Sequence, residues 1–124
     1  MKFGGTSVGD VAAFERVFRI VSEQIDKNPV VVVSAMTKVT DALLNGFEIA
    51  KKGEIENAIL SLDEHFERHQ AVASEFLTEA QQKLFQIEID FAQKELSELL
   101  MRVSRRSLPL SMLKDAIVSY GEQL

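Results

Sequence analysis

Pro29-Val30-Val31-Val32-Val33-Ser34-Ala35-Met36-Thr37-Lys38-Val39-Thr40-Asp41 is an unbroken β-branched run that passes into small and hydroxyl residues and then into a helix entry. A strand without polar alternation predicts a sheet covered on both faces, which is the habit of parallel strands flanked by helices. Ligands of such sheets bind in the crevice beyond the carboxyl ends of the strands, and Ser34 and Thr40 fall there. In the simpler reading Thr40 caps a helix beginning at Asp41 and Ser34 satisfies a nearby backbone group.

Outward from that strand, the chain opens with Lys2-Phe3-Gly4-Gly5-Thr6-Ser7-Val8-Gly9-Asp10, a lysine and a glycine pair between a strand stub and a helix. Glycine lets the main chain approach an anion closely, and amides at a following helix start point toward it. Lys2 would add a point charge. The order differs from the Walker A loop, whose lysine follows the glycines, so here the lysine comes from the strand end. The plainer alternative is a tight turn. At the other end, Tyr120-Gly121-Glu122 closes an apolar helical pattern of Leu110, Leu113, Ile117 and Tyr120, and Glu122 beside a glycine also suits an ordinary helix terminus.

The intervening residues are helical by pattern. Ile55, Ala58, Ile59, Leu62, Phe66, His69, Val72 and Phe76 recur at helical spacing, and Leu84 to Val103 repeat the pattern behind Thr78-Glu79-Ala80-Gln81, which has the form of a capping box. Two long amphipathic helices paired beside the sheet are expected. His65 and His69 share a helix face, yet the glutamate is misplaced for a zincin motif and no cysteine is present. We therefore assign no metal site, expecting His69 in the core and His65 exposed. Arg102, Arg105 and Arg106 suit a solvated helix end.

Composition narrows the classes further. The 124 residues are 46% hydrophobic, enough for one globular core, and the net charge of −5 argues against a general nucleic-acid surface. Without cysteine there is no thiol or disulfide chemistry. The apolar runs are too short to span a bilayer, and Met1-Lys2-Phe3-Gly4 does not begin a signal peptide, so a cytoplasmic protein without membrane or nucleic-acid partners is expected.

Taken together, Lys2-Phe3-Gly4-Gly5-Thr6-Ser7-Val8, Val32-Val33-Ser34-Ala35 with Thr40-Asp41, and Gly121-Glu122 resemble the amino-terminal region of the aspartokinases, members of the amino acid kinase superfamily. The phenylalanine of the opening motif, and Ser-Ala followed by Thr-Asp, favour aspartokinase over relatives that phosphorylate acetylglutamate, glutamate or uridylate. The resemblance implies a partial three-layer α/β fold, helix-dominated in this piece, with a helical insertion at about 46–108. It implies transfer of the γ-phosphoryl of ATP, carried with Mg2+, to the β-carboxylate of L-aspartate. The product would be 4-phospho-L-aspartate, at the start of lysine, threonine and methionine synthesis. By position, Lys2 is the catalytic lysine, Gly4, Gly5, Thr6 and Ser7 form the phosphate loop, and Ser34, Thr40 and Glu122 hold the amino acid. Since the nucleophile is already an anion, no general base is required, and Glu122 suits the substrate ammonium.

One departure stands in the second motif. Where the family often has Gly-Lys after Ser-Ala-Met, Thr37 and Lys38 occupy the turn, leaving its backbone open; Lys38 is either a nucleotide contact or a solvated lysine. The length of the insertion resembles the longer aspartokinases, including those fused to homoserine dehydrogenase, and a homo-oligomeric full-length protein is implied. Because the chain starts almost on Lys2 and closes on Gly-Glu, it reads as truncated, with the remaining nucleotide contacts beyond it and no activity alone. Two alternatives stay open: a sister kinase with another acceptor, and a non-catalytic helical interaction module.

Overall fold

The computed structural model describes residues 1–123. Strand β1 (Lys2–Phe3) leads through a 3-10 turn (Gly5–Val8) into helix α1 (Val11–Ser22), and strand β2 (Val32–Val33) follows. Helices α2 (Val39–Lys51), α3 (Ile55–Phe76), α4 (Glu79–Arg105) and α5 (Leu110–Ser119) make up most of the remainder, before a closing 3-10 turn (Tyr120–Glu122). The helix-dominated α/β reading is borne out, and among the described residues no helix is long and apolar enough to cross a membrane.

The two strands pair in parallel, Lys2 opposite Val32 and Phe3 opposite Val33. The expected direction is present, but the expected burial is not. Val32 and Val33 are 52% and 58% exposed, because among the described residues β1 is the strand beside them and no helix closes over their outer face. Two short strands are not self-sufficient in water. This pair is held from within by Phe3 and Val8, both buried, and by Met36 just past β2.

Helix α2 is the hub. Its stripe of Val39, Ala42, Leu43, Gly46, Phe47 and Ala50 is buried at helical spacing, and it packs against α3, α4 and α5. Helices α3 and α4 form the expected hairpin, turning at Leu77-Thr78, where the predicted capping box is complete. Leu62, Phe66, Leu96, Leu100, Leu113 and Ile117 fill the centre between the helices. Tyr120 ties the end of α5 to α4 by donating its hydroxyl hydrogen to Glu95.

Candidate functional site

Gly4 carries the chain from β1 into the 3-10 turn, where the Ser7 amide donates to the Gly4 carbonyl at 2.8 Å. The glycines therefore lead into a single tight turn, and α1 starts only afterwards, capped by Asp10 through the Ala13 amide at 2.8 Å. A β-carbon on Gly4 would meet no atom within 4 Å, so this stretch of backbone is open to approach. Gly5 differs. A β-carbon there would lie 3.0 Å from the Ala35 carbonyl oxygen, so the residue must be glycine for the first loop to press against the second.

The second loop is built from the end of β2. The Ser34 amide donates to the Phe3 carbonyl at 3.0 Å, which fixes Ser34 directly beyond the strand, half-buried. The Thr37 amide then donates to the Gly5 carbonyl at 3.2 Å, joining the two loops by their backbones. Lys38, at φ +67°, turns the chain in the left-handed region, and α2 starts at Val39. This corrects the reading of Thr40 as a cap: it stands in the first turn of the helix, and the capping position is held by Lys38 without a side-chain bond.

The third segment meets the second at Gly121. A β-carbon on this buried glycine would lie 3.3 Å from Leu43 Cδ1 and 3.8 Å from the Thr40 hydroxyl oxygen, so the turn carrying Glu122 rests on the first turns of α2. Ser34 and Glu122 share the wall of a cavity of about 470 Å³ that is otherwise largely apolar, lined by Val33, Val72, Phe76 and Phe85 among others. Lys2, Gly4, Gly5, Thr6, Ser7 and Thr40 do not line it. Lys2 is exposed on β1, Thr6 is exposed, and Ser7 is half-buried on the first loop.

Two residues enter this region that motif reading passed over. Arg68, on α3, donates from its terminal nitrogen to the Thr37 carbonyl at 2.6 Å, and the same nitrogen lies 3.3 Å from His65 Nδ1. His69 is buried as expected, its Nδ1 donating to the His65 carbonyl, and it lines the cavity. His65 is half-buried, not exposed, because Arg68 and the second loop lie over it. Burial and the Arg68 charge push the His65 pKa below the usual imidazole range. The available signal was Arg68 following His65 by three residues and preceding Val72 by four, at the margin of the apolar stripe.

Two loops beyond the carboxyl ends of neighbouring parallel strands, joined backbone to backbone, define an α/β protein of the kind that takes ligands at its strand ends. The model of the amino acid kinase family matches residues 1–124. A bifunctional aspartokinase/homoserine dehydrogenase from Zea mays is 30% identical over 121 residues, 98% of this chain and 13% of the relative. A counterpart from Daucus carota gives the same identity and coverage, 30%, 98% and 13%. The aspartokinase of Geobacillus stearothermophilus is 52% identical over 46 residues, 36% of this chain and 11% of that protein. The chain belongs to the amino acid kinase family. It spans 13% of the length of the two plant relatives.

Proposed function

We propose that this chain carries the phosphate loop and the acceptor-binding segments of an aspartate kinase. The observation that carries the reading is the meeting of three segments distant in sequence, Gly5 against Ala35 and Thr37, and Gly121 against Thr40. ATP, with Mg2+, would supply the phosphoryl group, and the open backbone at Gly4 with the exposed Lys2 fits a phosphate lying over the first loop. Phosphoryl transfer is governed by positioning and by stabilisation of charge on the equatorial oxygens. Lys2 supplies a cation and Gly4, Gly5, Thr6 and Ser7 supply backbone amides and hydroxyls for that purpose. Ser34 and Thr40 present hydroxyls to the acceptor's carboxylates, and Glu122 faces its ammonium. Aspartokinase relatives of both plant and bacterial origin support aspartate as the acceptor. The helices of residues 46–108 are an insertion that braces the second loop from behind. We further propose a homo-oligomeric whole protein, with fusion to a homoserine dehydrogenase as in the plant relatives.

The test is ADP release by the complete gene product with Mg2+ and ATP, offering aspartate, glutamate, acetylglutamate and uridylate separately. Turnover with aspartate alone, lost in Lys2→Ala, is the expected result. Turnover with a different acceptor would overturn the substrate assignment, and undiminished turnover in Lys2→Ala would overturn the role of the first loop.

A further inference from the structure

We infer that Arg68 is a positioning residue for the acceptor, holding the loop between β2 and α2 in the shape that delivers Thr40. The inference rests on the aspartate kinase reading above. Thr37 is held at both of its backbone polar groups by partners far away in sequence: its amide by the Gly5 carbonyl at 3.2 Å, its carbonyl by Arg68 at 2.6 Å. The anchoring at Lys38 itself is weak by comparison. Lys38 adopts φ +67° without the freedom of glycine, and it offers no side-chain bond to the first turn of α2. The turn supplies one bond of its own, the Val39 amide donating to the Met36 carbonyl at 3.2 Å with both residues buried, and Arg68 and Gly5 hold Thr37 between them from outside.

The cost of Arg68 also argues for a role beyond packing. Its Nε is buried with no partner among the described residues, which is unfavourable for a guanidinium donor, so apolar packing alone does not account for an arginine at this position. What an apolar residue would not supply is the donor at the Thr37 carbonyl. Three residues after that carbonyl stands Thr40, in contact range of Gly121 and adjacent to the turn of Glu122. Arg68 thus fixes the acceptor loop directly, and it reaches the phosphate loop one step removed, through Thr37, whose amide bonds the Gly5 carbonyl and whose methyl lies against Gly9. Loss of Arg68 is therefore a loss of acceptor binding first.

The experiment compares Arg68→Met, Arg68→Lys, Thr40→Val and the Arg68→Met/Thr40→Val double variant in the complete gene product, measuring KM for aspartate and for ATP separately. A misplaced loop costs about tenfold or more in the constant it governs, so Arg68→Met is expected to raise the aspartate KM by roughly that factor. The ATP KM should stay within about twofold, and Arg68→Lys, which keeps one donor and the charge, should recover part of the loss. Residues that act through one element are non-additive, so the double variant should be no worse than about twofold beyond Thr40→Val alone. Equal increases in both KM values, additive losses, or a lowered unfolding midpoint with unchanged kinetics would each overturn the inference. Should Arg68→Met not fold, an unchanged aspartate KM in Arg68→Lys overturns it instead. If Thr40→Val leaves the aspartate KM untouched, the aspartate kinase reading fails and the inference falls with it. If Thr40→Val raises it and Arg68→Met does not, the inference alone fails.

Discussion

His69 shows at a single residue how burial fixes chemistry. Its Nδ1 faces the His65 carbonyl, which accepts, so the ring carries its proton on Nδ1 and a lone pair on the buried Nε2. Burial pushes the pKa below the ordinary 6.5; the bond to the His65 carbonyl opposes the shift, and the Arg68 charge adds to it. The sign for stability follows from linkage. An imidazole held neutral in the fold takes up a proton more readily when unfolded, so its contribution is complete above pH 6.5 and is lost as pH falls through the depressed folded value. The urea midpoint of this polypeptide is expected to drop as pH is lowered from 7 toward 5. In His69→Gln the drop should be shallower, and not absent, since His65 is shifted in the same direction. An identical slope in the variant would refute this assignment.

Among the elements, α4 is the one whose limits the sequence states outright. Thr78 accepts from the Gln81 amide, and the Gln81 side chain returns a bond to the Thr78 amide at 3.0 Å. Thr78→Ala removes the hydroxyl half of this exchange and is expected to cost about 1 kcal/mol, read from chemical unfolding; no change beyond error would show that the first turn is held by other contacts. Helices α3 and α5 were legible for the same reason, a repeating apolar stripe. Yet periodicity overstated burial on α4, where Leu84, Ile87 and Phe91 keep the spacing but stay 65%, 63% and 55% exposed. Their face of the helix has no partner among the described residues, while the face bearing Ile89, Ala92, Leu96 and Leu100 does. Strand β2 repeats the lesson, since a β-branched run specifies extended backbone without saying what covers it.

For the whole molecule, stability is concentrated where α2, α4 and α5 converge. Leu100 is completely buried there beside Leu96, Leu113 and Ile117. Leu100→Ala is expected to destabilise the fold by roughly 2–5 kcal/mol through lost burial and the cavity left behind. A cost below about 1 kcal/mol in urea unfolding would mean the core collapses around the gap. Local sequence suffices for the helices, the parallel direction of the two strands, the loop glycines and the resemblance to a kinase family. These depend on period, turn chemistry and local motif, all written in neighbouring residues. Long-range packing supplied the rest: Gly5 must be small because Ala35 lies across it, Thr40 stands beside Gly121, and Arg68 grips the Thr37 carbonyl. Each of these is a contact between segments separated by tens of residues, and such contacts exist only once burial of apolar surface has brought the segments together.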